Sequence, residues 1–193
     1  MRGALARRLA VSIAGLALIS GCASSLEPST NGIPTPARHF VGQSVSFDYP
    51  GMWREGHFDV TSSFSGSIVY LSTSTLVDPC DRQPNMVACV REAATALNVD
   101  GILVSWSWNG FPGWAFDPTK GQRVAVGSRA ATLEDLVADD SCRGIGGERE
   151  LLVTIPDVPA NQNWTSVRAC LRGPGLDSLR SQVGAMLGTV VWH

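Results

Sequence analysis

The stretch Gly101-Ile102-Leu103-Val104-Ser105-Trp106-Ser107-Trp108-Asn109 decides the fold. Ile102, Val104, Trp106 and Trp108 alternate with Leu103, Ser105 and Ser107, the period of two that sends successive side chains to opposite faces of a β-sheet. Upstream, Ser67 to Ser72 places Val69 and Leu71 on one side and Ile68 and Tyr70 on the other, as in a strand covered on both faces. Val45, Phe47 and Tyr49 alternate with Ser46 and Asp48 in a half-buried first strand stopped by Pro50-Gly51. Downstream, a loop closed by Asp117-Pro118 leads to a strand over Gln122 to Val126, and Glu148 to Ile155 and Trp164 to Leu171 supply two more.

Helical spacing is scarcer. Leu176, Leu179, Val183, Met186 and Leu187 recur at helical intervals, so a helix is expected over about Asp177 to Leu187, with Gly188 as its stop. A second is expected over about Met86 to Leu97, with Val90, Ala94 and Leu97 on one stripe. Ala131 to Val137 fits a helical turn or a strand equally. With no repeat and no second linker, residues 40–193 read as one α+β domain: a mostly antiparallel sheet flanked by helices, the C-terminal helix packed on it.

The chain has 193 residues, 44% of them hydrophobic and 17% charged, enough apolar material for one core and too much for a disordered chain. Fifteen basic and 17 acidic residues, with Lys120 the sole lysine, provide no polybasic stripe, and no nucleic-acid partner is expected. The N-terminus reads as an address. Arg2, Arg7 and Arg8 precede an uncharged stretch from Leu9 to Ile19 and then Ser20-Gly21-Cys22, the order of a signal peptide, here residues 1–21. Leu18-Ile19-Ser20-Gly21-Cys22 resembles a bacterial lipobox, which implies diacylation of the Cys22 thiol and cleavage just before it. Acyl chains contribute about 0.8 kcal/mol per buried CH2, so the expected partner of this end is the membrane, with the domain on its extracytoplasmic face. Residues 22–39, rich in Pro, Ser, Thr and Gly, read as a flexible tether.

Ser46-Phe47-Asp48-Tyr49-Pro50 followed by Trp53, the Val69-Tyr70-Leu71-Ser72 and Gly101-Ile102-Leu103-Val104 strands, and Ala169-Cys170-Leu171-Arg172-Gly173-Pro174 before a last helix resemble the PsbP/Mog1-like α/β/α sandwich of small actinobacterial lipoproteins. The resemblance spans roughly residues 40 to 193 and implies docking or scaffolding, with no catalytic constellation to carry over.

With Cys22 lipidated, Cys80, Cys89, Cys142 and Cys170 remain, an even number that allows three pairings. The favoured one joins Cys80 to Cys89 across a short loop, and Cys142 to Cys170, pinning the Gly144 to Gly147 loop to a late strand. A zinc site is the rival, but no C-x-x-C occurs and His39, His57 and His193 are scattered, so neither metal nor cofactor is expected. Nucleophile-elbow and P-loop patterns are missing. Glu148 and Glu150 share a strand face, and Asp139-Asp140 lie nearby in sequence. These carboxylates, with Asp140 or His57 as partner, make a hydrolase the weakest reading.

Trp106, Trp108, Phe111, Trp114 and Phe116 concentrate five aromatics within eleven residues. Trp106 and Trp108 are expected in the core under the C-terminal helix, and Phe111, Trp114 and Phe116 are the candidate binding residues. The leading expectation is a non-enzymatic envelope lipoprotein that binds or scaffolds another envelope protein. The alternative is a carrier or sensor of an apolar ligand held between sheet and helix, marked by a sizeable apolar pocket near Trp108 and Met186.

Overall fold

A computed structural model describes residues 36–84, 86–157 and 163–193. The signal peptide, Cys22 and nearly all of the expected tether lie outside the described residues. In chain order the strands are β1 (Arg38–Val41), β2 (Val45–Tyr49), β3 (Arg54–Gly56), β4 (Ser65–Ser72), β5 (Cys80–Gln83), β6 (Met86–Cys89), β7 (Ile102–Gly110), β8 (Gln122–Val126), β9 (Arg129–Val137), β10 (Arg149–Pro156), β11 (Asn163–Leu171) and β12 (Val191–Trp192). Helix α1 (Asp140–Gly144) precedes β10, and α2 (Leu176–Gly188) follows β11. Arg38 and His39, read from the sequence as tether, belong to β1.

Seven strands form one sheet in the order β3-β4-β7-β11-β10-β9-β8, antiparallel at every pairing. The alternating stretch from Ile102 to Asn109 lies inside it as β7, between β4 and β11. Alternation then sorts the side chains. Val69, Leu71, Ile102, Val104, Trp106, Leu151, Val153, Ile155, Val167, Ala169 and Leu171 point to one face and are buried there. A small sheet, β1-β2-β12, and α2 cover this face with Phe40, Val45, Phe47, Leu179, Val183, Met186 and Leu187. Trp106 stacks on Phe47 at the centre, ring centroids 4.6 Å apart. Each such buried side chain contributes about 1.5–3 kcal/mol relative to exposure.

The sandwich flanked by helices is not what forms. Two helices occur among the described residues, of 5 and 13 residues, and the fold is a β-rich one. One face carries a second sheet beside α2, and the other carries the chain between β4 and β7 together with α1. The helix expected over Met86 to Leu97 is instead β6 followed by irregular chain. Cys80 and Cys89 stand opposite each other in the β5–β6 hairpin, a register no helix could share. Val90, expected on the helical stripe, is 81% exposed, whereas Ala93, Ala94 and Leu97 are buried on the sheet. Ala131 to Val137 resolves as strand, within β9. Helix α2 matches its expected spacing and starts at a fixed point: Asp100, at φ 54°, accepts a hydrogen bond from the Gly175 N–H (2.7 Å).

Candidate functional site

The five aromatics that the sequence groups together are separated by the sheet. Trp106 is fully buried, but Trp108 is 42% exposed and does not lie under the C-terminal helix as expected. Residue 108 is one strand repeat further along, beyond the cover of α2, and pairs in register with Gly66. Its indole lies over that glycine so closely that any Cβ there would overlap it. Phe111, Trp114 and Phe116 lie beyond β7. Phe111 is exposed and pairs with Phe64 (5.0 Å). Trp114 is half-buried and stacks on Trp164 (4.2 Å, 17° between planes), with Phe116 beside it at 6.4 Å. Since Val167, Ala169 and Leu171 face the main core, Trp164 points to the opposite face of the sheet from Trp108. Sequence reading missed Phe64 and Trp164 because cross-strand neighbours are distant in the chain.

Trp108 helps to line a surface groove of about 480 Å³, walled by Phe40 and the Val41 to Ser44 turn on one side and by His57, Ser67 and Ile68 on the other. Behind His57 lies a short relay. Its Nε2 is 2.7 Å from Glu55 Oε1, and the Tyr49 hydroxyl donates to Glu55 Oε2. Burial pushes the Tyr49 hydroxyl up to about 12, and the Glu55 carboxylate adds to the shift. Burial also pushes the Glu55 carboxyl upward, but hydrogen bonds from Tyr49 and His57 and the nearby charges of His57 and Arg38 outweigh it and hold Glu55 below its ordinary range. A carboxylate so held fixes the orientation of the imidazole. The Glu55-x-His57 spacing, which puts both on one side of an extended chain, was the available signal.

On the opposite face, Arg168 gathers two of the carboxylates considered for hydrolysis, Glu150 and Asp139, together with Glu92. It donates to Glu92 (2.5 Å), Asp139 (2.7 Å) and Glu150 (3.0 Å), and to the Ser141 hydroxyl (2.8 Å). Burial opposes the charge of Arg168, yet hydrogen bonds and charge from Glu150 and Glu92 raise its pKa. For Asp139, burial is likewise outweighed: N–H donors at Cys142 and Ser141, the Ser141 hydroxyl and Arg168 lower its pKa. Asp140 pairs with Arg143, and Glu148 accepts from the Gly173 N–H. His57 follows edge strand β3, four strands from β10 in the sheet order, or roughly 19 Å at the usual spacing. The sequence's acid–base combination is therefore not brought together, and its carboxylates already hold partners.

Cys80–Cys89 and Cys142–Cys170 are disulfides, with Cα separations of 3.9 and 5.6 Å. The second fastens α1 to β11, and Gly147 is needed beside it because a Cβ there would meet the Cys142 sulfur. Among the described residues no group of three or more His, Cys, Asp or Glu is placed to hold a metal ion. The space between the large sheet and α2 is filled by Phe47, Trp106, Val183 and Met186. The grooves near Trp108 and near Met186 are separate surface features, the latter about 310 Å³. Compared with protein-family models, curated proteins and solved structures, the chain finds no match.

Proposed function

We propose that this chain is a cell-envelope lipoprotein, held at the membrane through lipid on Cys22, whose β-rich domain is a non-catalytic binding or scaffolding module on the extracytoplasmic face. The observation that carries the binding reading is the exposed Trp108 at a groove, with further aromatics, Phe64 and Phe111, exposed at the same end of β7. Two disulfides support an oxidising compartment, in keeping with export. Strand β1 begins at Arg38, and its far end, at Val41, leads into the turn that lines the groove. Residues 36–37 thus lead into one end of this strand and the groove opens at the other.

Replacing Cys22 with Ser in the full chain tests the anchor. The wild-type chain should fractionate with membranes and carry diacyl mass on an N-terminal Cys22, whereas the C22S chain should leave the membrane fraction. Retention of C22S in that fraction would sink the lipid reading. Cross-linking of the anchored chain tests the module: a discrete envelope partner should be captured through the Phe64–Phe111 end, and its capture should fail in a Phe64→Ser, Phe111→Ser variant.

A further inference from the structure

We infer that the groove beside Trp108 is a binding site for a small neutral carbohydrate. This assignment rests on the binding-module reading and names the ligand class. Its volume of about 480 Å³ falls within the span of small-molecule sites, about 300–1,000 Å³. Three features of the lining then select the chemistry.

The first is charge. Among the described residues lining the groove, His57 is the one ionisable side chain, and Glu55 lies behind it at 2.7 Å. An anionic ligand would meet no Arg or Lys there, and a cationic one no free carboxylate, so either would shed its hydration without a counter-charge. The second is polarity. Gln43 and Ser44, exposed at the turn, offer side chains that both donate and accept. A purely acyl ligand would leave these groups unpaired. The third is the indole. Trp108 supplies a rigid aromatic surface, 42% exposed, held in place because Gly66 beneath it has no side chain. An uncharged molecule with an apolar C–H surface for the indole and a rim of hydroxyls for Gln43 and Ser44 satisfies all three, and a sugar ring is such a molecule.

The test uses the full chain, extracted in a detergent without a sugar headgroup. It is titrated with methyl glycosides of glucose, galactose, mannose and N-acetylglucosamine, with their β-linked disaccharides, and with palmitate and glucose 6-phosphate as probes of rival chemistry. Tryptophan fluorescence and calorimetry report binding. At least one neutral saccharide should bind saturably with Kd of about 1 mM or tighter. Trp108→Ala should weaken it by at least roughly tenfold, whereas Trp114→Ala, on the other face of the sheet, should leave it unchanged. Gln43→Ala, at an exposed turn where folding is not at stake, should weaken it about fivefold. Saccharide binding that survives both Trp108→Ala and Gln43→Ala, binding of palmitate or glucose 6-phosphate in preference, or no saccharide binding by the folded wild-type chain would each overturn the assignment. Because anchoring is read from fractionation of C22S and partner capture from Phe64→Ser, Phe111→Ser, failure of the sugar site is distinguishable from failure of the module reading.

Discussion

The two faces of the seven-stranded sheet are held by different physics. One is sealed by apolar side chains from a second sheet and a long helix, with Trp106, Phe47 and Met186 at its centre. The other is covered by 5 residues of helix and a run of mostly irregular chain, and its apolar cluster is small, built on Ala93, Ala94, Leu97, Leu103 and Ile145. There the fastening comes from the Cys142–Cys170 disulfide and from Arg168 bridging Glu92, Glu150 and Asp139. The chain between β4 and β7 offers little apolar area per residue, and a covalent link and an ion-pair cluster do what burial does opposite.

If that contrast is right, damage to the first face should unfold everything, and damage to the second should loosen only its cover. Trp106→Ala should cost about 4 kcal/mol in urea unfolding, as for other buried aromatics cut to Ala, in one cooperative transition. Trp106→Phe should cost clearly less, because the indole Nε1 is buried without a partner among the described residues and its removal leaves nothing unpaired. An Ala variant that lost under 1 kcal/mol, or lost protection only around residues 73–100, would break the comparison at its stronger side.

Replacing Cys142 and Cys170 together with Ser should cost about 3 kcal/mol, the scale for a bridge spanning 28 residues. Its signature should be local: faster amide exchange over α1 and residues 90–100, with β7, β10 and β11 still protected. Uniform loss of protection across the sheet would mean that both faces share one stabilising unit.

The same contrast explains what was legible in the sequence. Alternation at Ile102, Val104 and Trp106, and helical spacing at Leu179, Val183 and Met186, announce the burial-driven face, because each element carries its own period. The disulfide-and-charge face has no period to read. Ala93, Ala94 and Leu97 dock one by one, and their spacing mimics a helical stripe that Val90 then fails to join. Arg168 meets Glu92 across 76 residues and Asp139 across 29, contacts that no local pattern encodes. Among the site residues, Trp108 misled for a related reason: alternation gives the face correctly, but how far along a strand the cover extends depends on where β1, β2 and α2 end. The sheet's separation of Trp108 from Trp114 was equally hidden, since Trp114 takes its position from Trp164, fifty residues later.

Arg168→Met sharpens the comparison most finely, because it separates charge from packing on the weaker face. Arg168 is 22% exposed, and its loss leaves three carboxylates facing one another, so a cost of about 2 kcal/mol at pH 7 is expected, below that of breaking a fully buried pair. The pH dependence carries the information. In the wild-type chain, Asp139 has its pKa lowered on folding, so its contribution is present above the unfolded value, near 4, and is lost as pH falls through the folded one. Without Arg168, the three carboxylates repel one another and Asp139 loses a positive charge that helps to hold its pKa down. Protonation then relieves the folded state, and the variant should recover ground on the wild type as pH falls from 7 toward 5. Urea unfolding of both chains across that interval measures the gap. A gap that stays constant across that interval would mean that carboxylate repulsion does not carry the loss, and the ion-pair cluster would then not be what fastens the weaker face.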